Sequence, residues 1–300
     1  MTSQATSLAL YFATVLVSAS AVPSREVVFW LDARSASNAT WASWAEEMSS
    51  HRANVTGAAP LAYQISPAGT FGTAIPNASA VAIADGWMQY MRTEVALRIK
   101  PLVFASADGI AHAIADPTVG SALISSSALE AQRLGITAFD LQLDVAGPAG
   151  LRGPWLAFLA AWLGSLDAVG AQLGLLIPGN CSAGQPDEWF GASCADLRAL
   201  ALNVTAPHPN LRVISEASFG DASPAKWTAG INAAEHGLGP SVLSLGVTYD
   251  APLLDQGNGC LMYALAGGLT SLYVKEGLPA PGPAGAEAWT AFGYWMTTIA

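Results

Sequence analysis

Charge is scarce in this chain of 300 residues, since only 11% of its residues are charged and Lys and Arg together number 12. No run of basic residues occurs, and the formal net charge is -10. Nucleic acids and anionic membranes are bound through clustered Lys and Arg side chains. We therefore expect no nucleic-acid partner.

The usual signals for a metal or a nucleotide cofactor are also missing. The four His residues are scattered, and no Cys/His spacing resembles a zinc site. No Gly-x-Gly-x-x-Gly loop follows the first predicted strand, as a dinucleotide-binding sheet would require. We predict neither a metal nor a cofactor.

Only three cysteines are present, at positions 181, 194 and 260. Cys181 and Cys194 bracket a loop that contains Gly and Pro, and in an oxidising compartment they could close a local disulfide. Cys260 would then be left over. Three unpaired thiols are the alternative.

The N-terminus has no Lys or Arg in its first residues, but an apolar run from Leu8 to Val17 leads to small residues at Ala19 and Ala21. This pattern is typical of a cleaved signal peptide, here residues 1–22, and the run is short for a membrane span. An uncleaved anchor is the alternative. Five Asn-x-Ser/Thr sites agree with a secretory route: Asn38, Asn54, Asn77, Asn180 and Asn203. We expect a secreted or luminal protein without stable membrane insertion after cleavage.

Apolar material is plentiful, at 52% of the residues, and it is arranged in alternating strand-like and helix-like segments. The first predicted strand is Glu26–Leu31 and the eighth is 269–274. Eight strand–helix alternations without a break in composition predict one domain over residues 23–300, a (β/α)8 barrel with a parallel sheet. An open doubly wound sheet is the alternative, and the missing Gly-rich loop disfavours it.

The most informative segment runs from Leu134 to Asp144. Its apolar residues, Phe139, Leu141 and Leu143, alternate with three polar ones, Asp140, Gln142 and Asp144. On a strand this alternation puts the three polar side chains on one face. An ordinary strand with its polar face in water is one interpretation. In a barrel, the polar face would instead line the interior, where carboxylates need partners or a function.

This segment resembles the fourth-strand signature of glycoside hydrolase family 18, the chitinase-like proteins: Asp-Gly-x-Asp-x-Asp-x-Glu. Aligned on Gly135, the residues Phe139, Asp140 and Leu141 match. Thr137 and Ala138 replace the opening Asp-Gly, Gln142 replaces the central Asp, and Asp144 replaces the Glu. A register shifted by two residues would put Ala146 at the acid position and lose the Gly135 and Asp140 matches.

The resemblance implies a site at the carboxyl ends of the strands, where (β/α)8 barrels place their active sites. It implies that the substrate's own 2-acetamido group attacks the anomeric carbon, with Asp144 as the acid and Gln142 in contact with the acetamide. Asp140 would then hold Gln142 or share a proton with Asp144. Val247 to Asp250, on the predicted strand seven, resembles a Met-x-Tyr-Asp motif of the family, and Phe219 replaces a Tyr near the end of strand six. The predicted substrate-binding residues are Tyr63, Glu216, Phe219, Tyr249 and Tyr273.

Three functions follow from this altered signature. The first is a secreted barrel that binds glycans containing N-acetylglucosamine, with hydrolysis weak or lost. The second is an active glycosidase that cleaves chitin-type or N-acetylglucosaminyl linkages by substrate-assisted catalysis, with Asp144 as acid. The third is a cell-surface protein that kept only the scaffold.

Overall fold

The computed structural model describes residues 25–143, 151–178, 210–216, 243–247, 269–274 and 277–298. The strands are β1 (Glu26–Leu31), β2 (Gly57–Ile65), β3 (Phe71–Thr73), β4 (Arg98–Ile99), β5 (Leu102–Ala105), β6 (Ala138–Leu143), β7 (Gln172–Pro178), β8 (Leu211–Glu216), β9 (Leu243–Val247) and β10 (Ser271–Val274). The helices of this part are α1 (Asn38–Ser50), α2 (Ala78–Thr93), α3 (Ala107–Ala115), α4 (Pro117–Leu134), α5 (Arg152–Asp167) and α6 (Pro283–Thr297).

Parallel strands close into a ring, which confirms the predicted (β/α)8 barrel. The ring order is β1-β10-β9-β8-β7-β6-β5-β2, and β2 pairs again with β1. Every pairing in this ring is parallel. Helices α1 to α5 lie between successive parallel strands of the chain, and α6 follows β10.

Three local features differ from the sequence expectation. The sequence of residues 97–104 predicts one third strand, but the structure has two pieces, β4 and β5, separated at Lys100 and Pro101, because proline has no N–H to donate to a sheet ladder. The sequence of residues 105–109 predicts a loop, but helix α3 begins at Ala107, and Ser106 caps it by accepting from the Gly109 N–H at 3.3 Å. A short strand, β3, pairs antiparallel with β2 outside the ring.

The barrel has two apolar cores. The larger one lies between strands and helices and contains Phe139 and Leu141 of β6. The smaller one fills the lumen: Val28, Trp30, Ala59, Leu61, Leu102, Leu176, Ile214 and Tyr273, with Phe104 packed against it. The period-two alternation of β6 therefore sends Phe139 and Leu141 outward and Asp140 inward, as predicted. No helix in the described ranges is long and apolar enough to span a bilayer.

Helix α4 offers a matched test of the outer core, since Leu123 is 1% exposed and Leu129 is 66% exposed. Leu123→Ala should lower the free energy of unfolding by about 2–5 kcal/mol, because it removes buried methyl groups and leaves a cavity. Leu129→Ala should change it by no more than about 0.5 kcal/mol. Urea unfolding of both variants measures the difference. Equal losses would show that α4 does not pack as described.

Candidate functional site

A cluster of charged side chains lies inside the barrel around Glu26, the first residue of β1. Its Oε2 accepts from Lys100 Nζ at 2.9 Å, from Arg212 Nη1 at 2.5 Å and from Ser271 Oγ at 2.8 Å, and Arg98 bonds to Oε1. Burial alone would raise the pKa of Glu26, but Lys100 and Arg212 outweigh burial and hold the pKa at about 2. Glu26 is therefore a fixed anion.

Asp140 lies in the same lumen and is fully buried. Gly174 of the neighbouring strand makes room for it, since a side chain at position 174 would overlap Asp140 Oδ1. Within the described part of the chain, neither carboxylate oxygen has a hydrogen-bond partner. Burial raises the pKa of Asp140 to about 7, although Lys100 and Arg212 lower it. The carboxyl thus holds a proton up to nearly neutral pH.

Gln142 lies two residues further along β6, on the same inward face and closer to the mouth of the barrel. It is half-buried, whereas Asp140 is sealed below it. The residue opposite it on β5 is Phe104, which is also half-buried. A ligand at the mouth would therefore contact Gln142 before it could reach Asp140. Asp144, the predicted acid, lies outside the described residues.

Two predicted substrate-binding tyrosines lie away from the mouth. Tyr63 faces the helices, where its hydroxyl donates to Glu130 Oε1 of α4 at 2.8 Å and its ring stacks on Phe71. The reason is an irregularity in the β2–β5 pairing between Leu61 and Tyr63, which reverses the side-chain alternation. Sequence alternation alone could not show this bulge.

Tyr273 does face the lumen, but it is fully buried. Its ring centroid lies 5.9 Å from that of Trp30, and its hydroxyl accepts from Lys100 Nζ at 3.3 Å. It therefore fills the barrel and orders the charged cluster instead of presenting a surface to a ligand.

Glu216 is the last residue of β8. Phe219 and Tyr249 lie outside the described residues.

Lys100 and Arg212 were not predicted as site residues from the sequence, and Glu26 was predicted only as the start of the first strand. All three carried a signal, because each is a charged residue within or beside a strand that also contains apolar residues. Such residues are rarely buried unless paired. Among the described residues, no group of three or more His, Cys, Asp and Glu side chains could hold a metal ion.

Comparison of the whole fold with solved structures identifies the class of barrel. A chitinase from Chromobacterium violaceum superposes with a TM-score of 0.66 at 14% identity, covering 92% of this chain and 100% of that one. The GH18 chitinase ChiB of Flavobacterium johnsoniae gives 0.63 at 13% identity, covering 92% and 94%. The spore cortex-lytic enzyme SleL of Bacillus megaterium gives 0.63 at 9% identity, covering 89% and 73%.

These similarities show that the chain has the fold of the chitinase-type (β/α)8 barrels, as the resemblance in β6 implied. No family model and no curated protein sequence matches the chain. The shared property is thus the architecture, and the side chains of the site must decide the function.

The buried carboxyl can be tested through its effect on stability. The pKa of Asp140 rises from 3.8 to about 7 on folding, so the folded state binds more protons than the unfolded state between these values. The contribution of Asp140 to stability is present below about pH 4 and is lost as the pH rises through about 7. We expect the free energy of unfolding of the wild type, relative to Asp140→Asn, to fall over this range in urea titrations.

Asp167→Asn makes the same chemical change at an exposed position at the end of α5 and sets the baseline. A stability difference between the wild type and Asp140→Asn that does not vary with pH would contradict a protonated, buried carboxyl.

Proposed function

We propose that this protein is a secreted, chitinase-like barrel that binds glycans containing N-acetylglucosamine at its mouth, with hydrolysis weak or lost. The observation that carries the proposal is that Asp140 and Gln142 share the lumen face of β6. Gln142 lies nearer the mouth, so a ligand that enters the barrel would meet an amide, not a carboxylate.

Binding is supported by the chemistry at the mouth. An amide such as Gln142 can accept a hydrogen bond from an acetamide N–H and donate one to its carbonyl. Phe104 offers a half-buried aromatic face at the same level, and aromatic rings are the usual stacking surface for sugar rings. Two of the solved structures with this fold are chitinases by name, and this likeness supports a chitin-type ligand.

Loss of hydrolysis is supported by the same residues. Gln142 is neutral and cannot stabilise the positive charge that develops during substrate-assisted cleavage. Asp144 is one methylene shorter than the Glu it replaces, and a displacement of about 1 Å can cost about a hundredfold in rate. General acid–base assistance is worth roughly 10²–10⁴ in rate. A site altered at both Gln142 and Asp144 therefore loses most of this rate enhancement.

One observation favours the active glycosidase as a second candidate. Asp140 holds a proton up to about pH 7, and it lies directly beneath Gln142 on β6. A protonated carboxyl at this position can share its proton with a neighbouring acid. In that case Asp144 is the acid, as the resemblance implies.

Secretion is supported by the N-terminal pattern of residues 1–22 and by the exposure of two of the Asn-x-Ser/Thr sites. Asn38 and Asn77 are exposed at the starts of α1 and α2. Asn54 is half-buried, and its Nδ2 donates to the Trp289 carbonyl at 3.3 Å.

Calorimetry and product analysis with an N-acetylglucosamine oligomer separate these functions. The wild type should bind the oligomer without releasing shorter products, and Asp144→Asn should hardly alter the affinity. Gln142→Leu should weaken binding about tenfold, because an apolar side chain leaves the acetamide N–H unpaired. A glucose oligomer, which lacks acetamides, should bind no better to the wild type than to Gln142→Leu.

If the wild type cleaves the oligomer and Asp144→Asn does not, the proposal that hydrolysis is lost is wrong and the protein is an active glycosidase. Absence of any binding at millimolar oligomer would overturn both and leave only the scaffold.

A further inference from the structure

A groove opens beside the mouth of the barrel, between α1 and the segment 277–281 that precedes α6. Its volume is about 500 Å³, and its walls include Trp30, Asp32, Trp44, Glu47 and residues 277–281. It lies beyond the carboxyl ends of β1 and β10, which are neighbours in the ring. Ligand sites of (β/α)8 barrels form on this face.

The aromatic wall of this groove is held rigidly. Trp44 is half-buried, and its ring packs edge-on against Trp41 with centroids 5.1 Å apart. Trp30 comes from the lumen core at the foot of the groove. Fixed aromatic faces bind saccharide rings at a small cost in conformational entropy.

The charge in the groove is unbalanced. Among the described lining residues, the charged ones are Asp32 and Glu47. Arg34 neutralises Asp32 through a two-point contact, with Nε to Oδ1 at 2.9 Å and Nη2 to Oδ2 at 2.8 Å. Glu47 forms no ion pair with a Lys or Arg of the described part; its Oε1 accepts from Trp289 Nε1 at 2.9 Å and lies 3.4 Å from His51 Nε2.

Trp44 and Glu47 are three residues apart on α1, and this spacing puts them on the same face of the helix. An aromatic face beside a carboxylate that pairs with His51 but with no Lys or Arg of the described residues attracts a cation that also has a surface for stacking. A phosphate or a uronic acid would be repelled by Glu47. A fully neutral sugar would gain nothing from that negative charge.

We propose that this groove is a subsite for a de-N-acetylated hexosamine unit, whose ammonium group pairs with Glu47 while its ring stacks on Trp44. The subsite lies next to the mouth, so one glycan chain can place an N-acetylglucosamine unit at Gln142 and a glucosamine unit in the groove. The proposal rests on glycan binding at the mouth and adds a preference for partly de-N-acetylated chains.

The test compares two oligomers of equal length by calorimetry on the full chain, one fully N-acetylated and one partly de-N-acetylated. The wild type should bind the second about fivefold more tightly, which is the scale of one partly exposed ion pair with a cation–π contact. Raising the salt concentration should reduce this preference.

Glu47→Gln should abolish the preference, so that the two oligomers bind this variant with equal affinity. The fold should persist, because a Gln oxygen can still accept from Trp289 Nε1. Glu46→Gln is the matched control: it makes the same charge change at an exposed position of α1 that does not line the groove, and it should keep the preference.

Equal affinity of the wild type for both oligomers would overturn the subsite and leave the mouth site standing. Equal losses in Glu46→Gln and Glu47→Gln would also overturn it, because the effect would then come from overall charge. Failure of the acetylated oligomer to bind would instead refute the proposed function.

Discussion

The buried carboxylate of Glu26 is the interaction on which the inside of the barrel depends. It links β1 to Lys100 between β4 and β5, to Arg212 on β8 and to Ser271 on β10. Removing one member of a buried ion pair typically costs about 3–5 kcal/mol, because the other charge is left without compensation. A shift of any of these strands by one residue would turn its hydrogen-bonding side chain away from Glu26, so the cluster fixes their mutual register.

The same cluster determines the electrostatics beneath the mouth. Lys100 and Arg212 stabilise Glu26 as an anion and act on Asp140 as well, yet burial dominates at Asp140 and keeps it protonated to about pH 7. The lumen therefore holds one charged and one largely neutral carboxyl. Gln142 lies above them, so β6 presents an amide at the mouth while the carboxyl groups of Asp140 and Glu26 lie below it.

The sequence predicted the fold and the direction of the β6 side chains because both depend on the period-two alternation, which is a local property. The direction of Tyr63 could not be predicted, because it depends on a bulge in β2. The complete burial of Tyr273 could not be predicted either, because burial in the lumen depends on which strands face each other across the ring. Helix α3 was not predicted, because a segment of nine residues is too short to show a clear helical periodicity. The groove is formed by α1 and residues 277–281, which are more than 200 residues apart in sequence. No local sequence pattern predicts that these two segments lie side by side.

We propose that the mouth above Gln142 holds the acetamide of an N-acetylglucosamine unit. A crystal structure of the protein grown with an intact N-acetylglucosamine oligomer tests it directly. We expect difference density for an uncleaved sugar at the mouth, with the acetamide within hydrogen-bond distance of the Gln142 amide. An empty mouth at saturating oligomer, or a sugar bound only elsewhere on the surface, would contradict it.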